Sequence, residues 1–239
     1  MKRQTLLTEG NAKTVKGEKK GYLTKILYLA PSDESRVMNV CPFATPGCKA
    51  GCLSHAGRAA IFEAIPAARI KKTRFLHSDR AAFMAQLVTE VRAAIKRAAR
   101  KGMTLAIRVN GTSDLPFMAH QLAEQFPDVQ FYDYTKIPAP WKRTRANYHL
   151  TFSHSETNHF HCLDALYHGI NVAVVFDVKR GHALPATWEG YRVIDGDETD
   201  LRFTDEHGVV VGLRAKGPAK KDCTGFVVST AKLVNIAHS

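Results

Sequence analysis

"SDRAAFMAQLVTEVRAAIKRAARKGMTLAIRVNGTSD" (Ser78–Asp114) joins an amphipathic helix to a short apolar strand that runs into a polar turn. Phe83, Leu87, Val91 and Ile95 recur every four residues, close to the helical period that keeps side chains on one face. Ser78 is the expected N-cap, with Asp79 favouring the positive helix end. Gly102 ends the pattern, where a glycine commonly follows a helix. Arg92, Lys96, Arg97 and Arg100 occupy the other face. "TLAIRV" (Thr104–Val109) then reads as a strand, and Asn110, Gly111, Thr112, Ser113 and Asp114 as the turn at its C-terminal end. Helix, strand and polar rim in this order are the repeating unit of parallel α/β proteins.

The rhythm continues in both directions. Upstream, "GYLTKILYLAPSD" contains a first strand, Tyr22–Leu29, stopped by Pro31. Ala59–Leu76 reads as a helical segment interrupted at Pro66. Downstream, Leu115–Gln125 is a short helix, "VQFYDYT" and "YHLTFS" are strands, and Phe160–His168 is a helix. "NVAVVFD", "YRVID" and "VVVGLRA" are further strands. About seven strands, several separated by helices, predict an α/β fold of largely parallel βα repeats. Their spacing suits a partial or complete (β/α) barrel, with the cysteine loop after the first strand; a doubly wound open sheet is the alternative. Residues 1–20 read as a flexible basic N-terminal segment and residues 21–239 as a single α/β domain.

The net charge of +12 and a pI near 9.6 favour polyanionic partners, nucleic acid among them. No apolar run approaches the roughly 20 residues that span a bilayer, and no secretory h-region follows Met1-Lys2-Arg3. A soluble protein of the cytoplasm, without a membrane partner, is the expectation.

"VMNVCPFATPGCKAGCLSHAGR" (Val37–Arg58) gathers three of the five cysteines, Cys41, Cys48 and Cys52. In a cytoplasmic chain such clustering points to a metal before a disulfide. A [4Fe-4S] cluster takes several thiolates from one loop, and Pro42, Pro46, Gly47 and Gly51 suit the sharp bends around it. Zinc is the alternative metal; it would need distant partners such as His55, Cys162 or the histidines near 149–161. Cys223, after the last strand, is the candidate fourth ligand. With it the site is a closed redox or sensing centre; without it one iron is open to a small molecule. Cys162 reads as a core thiol.

Polar residues at strand ends supply the pocket candidates beside the cysteines: Arg108, Asn110, Asp114, Lys136, Ser155 and Asp177. Asn110 to Asp114 also fit a turn capping the next helix. His154 is the candidate acid–base residue among the histidines. Asp195, Asp197 and Asp200 of "DGDETD" resemble a calcium loop but lack its sixth-position glycine and twelfth-position glutamate; a turn neutralised by Arg202 is the simpler reading. "YDYTKIPAPWKRTR" mixes aromatic and cationic residues, as a stacking and phosphate-contact surface would, or forms an ordinary exposed loop anchored by Trp141.

Three cysteines after a first strand, followed by βα repeats, resemble the radical S-adenosylmethionine enzymes. That resemblance implies a [4Fe-4S] cluster whose fourth iron binds S-adenosylmethionine, although that family's usual spacing is Cys-x3-Cys-x2-Cys. A broader resemblance rests on "NVCPFATPGCKAGCLSHAGR", "RVNGTSDLPF", "YDYTK" and "IDGDETDLRFTDEHGVVVGLRAKG". These are similar to segments of a bacteriophage and prophage protein family of unassigned function, which implies a phage-encoded protein acting in the bacterial host cytoplasm.

Overall fold

A computed structural model describes residues 4–8 and 16–231 of the chain. Ten strands form its sheet, in the order β1-β2-β3-β4-β5-β6-β9-β8-β7, with β10 also paired to β6. The central strands are β2 (Tyr22–Leu27), β3 (Thr104–Arg108), β4 (Gln130–Thr135), β5 (Tyr148–Ser153), β6 (Val172–Phe176), β9 (Val210–Arg214) and β8 (Tyr191–Asp195). Every pairing among them is parallel. Only the two-residue edge strands, β1 (Leu7–Thr8) and β7 (Thr187–Trp188), run antiparallel to their neighbours. The largely parallel α/β arrangement expected from the sequence is therefore present. Among the described residues no ladder joins β1 to β7.

Period-2 alternation divides each strand between two faces. Leu23, Leu27, Leu105, Ile107, Phe131 and Leu150 share one apolar core with helices α4 (Arg80–Arg100) and α5 (Pro116–Gln125). Phe152, Val172, Val174, Phe176 and Val210 form a second core with Cys162, Ala165 and Leu166 of α6 (His159–Tyr167). Burial of one such Leu or Phe side chain stabilises the fold by roughly 1.5–3 kcal/mol. Cys162 is thus a core thiol, and burial pushes its pKa up to about 12.

The opposite face holds the chain between β8 and β9. Phe203 packs edge-on against both Tyr22 and Tyr132. Asp200 pairs with Arg108, and His207 lies near His149. Residues 200–207 therefore reach β2, β3, β4 and β5 from the other end of the sheet and plug its inner face. Arg202 belongs to this plug. It pairs with Asp205 and donates to the Thr199 carbonyl rather than neutralising Asp195 or Asp197.

Local details correct the sequence reading at several points. The N-cap of α4 is Asp79, whose carboxylate accepts the Ala82 N–H at 2.8 Å, and Ser78 ends the preceding helix. That helix is two pieces, α2 (Arg58–Ile61) and α3 (Ala64–Ser78). The break falls before Pro66, which sits in the first turn of α3, where no intrahelical N–H bond is lost. Ile95 is 36% exposed while Ala94 and Ala98 are buried. A four-residue repeat drifts about 40° per step on a helix of 3.6 residues per turn, so the third step rotates Ile95 off the core face. Gly102, at φ 62°, closes α4; its N–H and that of Met103 bond the Ala99 and Ala98 carbonyls.

In the segment expected to be flexible, residues 4–8 are anchored. Leu6 and Leu7 are buried, and the Glu90 carboxylate accepts both of their N–H groups at 2.8–3.0 Å. The apolar pair in an otherwise polar stretch accounts for this. Residues 1–3 and 9–15 of that segment lie outside the described residues.

Candidate functional site

The cysteine stretch is folded onto the C-terminal ends of β2 and β3. Thr112 Oγ1 donates to the Leu29 carbonyl at 2.6 Å, and the Asp114 N–H donates to Val40 at 2.8 Å. Gly111 permits this approach, because a Cβ there would stand 2.7 Å from the Leu27 carbonyl oxygen. The Asn39 side chain accepts the Cys41 N–H at 2.8 Å and fixes the turn into the cysteine. Cys41 Sγ then accepts the Ser32 N–H at 3.3 Å.

Cys48 lies in α1 (Pro46–Ala50), a single turn capped by the Thr45 hydroxyl, with Pro46 at its first position. Cys52 follows four residues after Cys48, the spacing that places two side chains on the same side of a helical turn. Glu156, from the loop after β5, holds the N-terminus of α1: it accepts the Gly47 N–H at 2.7 Å and the Thr45 hydroxyl at 2.6 Å. A Cβ on Gly47 would come within 2.2 Å of Thr224 Oγ1 and 2.9 Å of Glu156 Oε1. Only glycine lets the turn sit this close.

Cys41, Cys48 and Cys52 all line one cavity of about 270 Å³. Burial pushes the Cys41 thiol up to about 12, and the nearby Cys52, Cys48 and Asp114 add to the rise. Across the cavity stand Arg108, Asn110, Asp114 and Lys136, so four of the six pocket candidates are brought together with the cysteines.

Most of these polar groups are already engaged. Asn110 accepts the Ser113 hydroxyl and the Leu115 N–H, and donates to Asp133 at 3.0 Å; it is the capping turn itself. Asp114 accepts the Lys136 N–H at 2.8 Å, and burial raises its pKa. Arg108 reaches Asp200 at 3.2 Å and lies over the Tyr134 ring. Arg214 and Lys216 pair with Asp197, so "DGDETD" is neutralised from within the fold. Lys136 differs: its Nζ stands 5.7 Å from the Phe226 ring centroid, with no carboxylate at ion-pair distance among the described residues.

Two pocket candidates lie elsewhere. Ser155 is buried outside the cavity lining; its N–H donates to Asn158 at 2.7 Å, and the turn this makes presents His154 to the cavity instead. Asp177 borders an adjoining open groove and accepts the N–H and hydroxyl of Thr230, each at 2.8 Å. The cause is β10 (Val227–Val228), which pairs with β6 at Val175 and Phe176, beyond the end of the β5 pairing at Ala173. It brings Phe226 into the cavity wall and takes up the rim position next to Asp177. Cys223 is exposed and does not line the cavity.

Sequence reasoning missed three supports. Glu156 positions α1. Asp133 is fully buried, accepts from Asn110 and Tyr148, and has its pKa raised by burial to about 7. Phe226 walls the cavity. An acid between apolar neighbours in "FYDYT" was a readable signal for Asp133; the other two depend on long-range packing. His154, the acid–base candidate, is pushed down to about 4, chiefly by burial and then by Lys136. It is therefore an uncharged ring at neutral pH and hydrogen-bonds a ligand rather than donating a proton as a cation.

A family model described as Gene product 88 matches residues 5–229. No curated protein and no solved structure matches the chain significantly. Among the described residues no helix is long and apolar enough to cross a membrane. Nor, among those residues, is any group of three or more His, Cys, Asp or Glu set closely enough to hold one metal ion.

Proposed function

The chain belongs to the Gene product 88 family of phage gene products, and from its cysteine-lined cavity we propose that it is an iron–sulfur protein with an open ligand site. Cys41, Cys48 and Cys52 would hold a [4Fe-4S] cluster, and a small anionic molecule would bind beside it. One observation carries this reading: three thiols from one loop and one helical turn line the same cavity as Lys136, while Cys223 does not.

The donor chemistry fits. A single zinc draws four donors into one tetrahedral shell about 2.3 Å from the metal; a cube distributes its thiolates over separate irons. Three cysteines around one cavity that do not form a one-ion group match the second demand better. With three thiolate ligands, such a cluster supplies electrons and a Lewis-acidic iron to a ligand in the cavity.

The chain's own residues would do the rest. Lys136 attracts the anionic group of the ligand, with the Asp114 carboxylate holding its backbone. Arg108, kept in place by Asp200 and the Tyr134 ring, bounds the cavity floor. Phe226 and Leu53 exclude water from one wall, which strengthens electrostatic contacts inside. His154 offers a neutral hydrogen-bonding ring. A phage-encoded protein of this kind would act in the cytoplasm of the bacterial host.

The test is anaerobic purification followed by addition of S-adenosylmethionine. Brown protein with equal iron and acid-labile sulfide supports the cluster. A changed EPR signal of the reduced protein with S-adenosylmethionine identifies that ligand class; an unchanged signal removes it and leaves other anions. Colourless protein with stoichiometric zinc overturns the reading.

A further inference from the structure

Two large aromatic side chains stand almost free of the protein on α6, Phe160 at 84% and Tyr167 at 81% exposure. They are seven residues apart, two helical turns, and so share one face about 10.5 Å apart along the axis. The buried side of the same helix, Cys162, Ala165 and Leu166, is fully used in the core. Fold stability therefore does not explain the outer rings.

The C-terminal end of this face continues into a second aromatic group. The His168 ring stacks on Trp141, with centroids 3.9 Å apart and planes within 1° of parallel, and Tyr167 meets His168 edge-on. Trp141 begins the "WKRTR" loop, in which Lys142 and Arg145 are exposed. Neither has a carboxylate at ion-pair distance among the described residues. Asp164, between the two outer rings, is drawn towards His168 at 3.4 Å.

We propose that α6 and the loop carrying Trp141, Lys142 and Arg145 form a binding surface for single-stranded nucleic acid. Separate rings with open faces suit bases that stack one at a time, and the flanking cations suit the phosphates. The ring separation matches about three base steps at 3.4 Å each. A protein partner would ask for a contiguous apolar patch of several hundred Å²; here the outer rings are separated by His161 and Asp164. The overall charge of +12 favours the same polyanion. This surface is argued independently of the cysteine cavity.

The experiment is fluorescence anisotropy of a labelled single-stranded oligothymidylate against the full chain, across a salt series. Phe160→Ala and Tyr167→Ala are each expected to weaken binding at least about fivefold, the lower end of single-base stacking losses. Lys142→Glu with Arg145→Glu should lower the salt slope by about one. Both aromatic residues are exposed, so circular dichroism of the alanine variants should match the wild type. Absence of binding overturns the proposal. So does binding that the aromatic substitutions leave unchanged, which marks charge attraction alone. Loss of self-association in Phe160→Ala, without any oligonucleotide binding by the parent, reassigns the face to a second copy of the chain and also overturns it.

Discussion

Glu156 Oε1 accepts the backbone N–H of Gly47 at 2.7 Å, so a carboxylate after β5 holds the first turn of the cysteine helix across 109 residues of chain. Its other oxygen takes the Thr45 hydroxyl at 2.6 Å. The acid sits where unpaired N–H groups and the helix dipole both favour negative charge. Glu156→Ala removes both bonds and should cost about 2 kcal/mol in urea denaturation, within the range for charge-assisted hydrogen bonds. Iron retained after anaerobic reconstitution should fall with it. Glu156→Gln keeps one acceptor and should lose less of both.

Gly47 gives a sharper steric prediction. Gly47→Ala would force the new methyl against Thr224 and Phe226, at 2.2 Å and 2.8 Å from the nearest atoms. A cost above about 2 kcal/mol is expected, as in overpacked interiors. Gly102→Ala, with nothing within 4 Å of its Cβ but φ at +62°, should cost only about 1 kcal/mol. Equal losses for the two variants would show that the cysteine turn is not held against the 224–226 segment.

Acid should weaken the fold through two buried histidines. Burial lowers His149 and His154 to about 4, from an ordinary value of 6.5. Between those values the unfolded chain binds protons that the folded chain refuses. Their contribution is therefore complete above pH 6.5 and is lost as pH falls towards 4, by up to about 3 kcal/mol each. Asp133 acts in the opposite sense. With its pKa raised to about 7, the folded state holds a proton between pH 4 and 7 that the unfolded chain releases, so its contribution grows as pH falls through 7. Stability measured at pH 7 and pH 5 should fall more steeply in Asp133→Asn than in the parent, and less steeply in His149→Gln. A parent profile flat over this range would contradict both histidine assignments.

Lys136 separates the ligand pocket from its scaffold. Its backbone serves Asp114, whereas its Nζ has no carboxylate partner among the described residues. Lys136→Gln should leave stability within about 0.5 kcal/mol and cluster content unchanged, while weakening the anionic ligand at least about tenfold, in line with loss of a charged hydrogen bond. Lys136→Arg should recover part of the affinity. A ligand affinity unaffected by both changes would place the anion elsewhere.

Strands were legible because parallel strands covered on a helical face read as apolar runs; β5 and β8 match their expected limits. The cysteine cavity was legible in outline, since three cysteines in 22 residues must lie near one another and polar strand ends share a rim. What was hidden depends on contacts far apart in sequence. Residues 200–207 plug the sheet only because Arg108, Tyr22 and Tyr132 await them. β10 is two residues long, too short for any periodicity, yet it displaces Asp177 from the rim. Ser155 and His154 exchanged roles for a local reason: the Asn158 side chain turns the backbone one residue earlier than the strand-end rule assumes.

Iron and sulfide content after anaerobic reconstitution tests the central claim most directly, measured in the parent and in single Cys→Ala variants at 41, 48, 52 and 223. About four irons and four sulfides per chain are expected in the parent and in Cys223→Ala. Cys41→Ala, Cys48→Ala and Cys52→Ala should each lose most of both. Retention in those three variants, or loss in Cys223→Ala alone, would contradict an open site built on the three clustered cysteines.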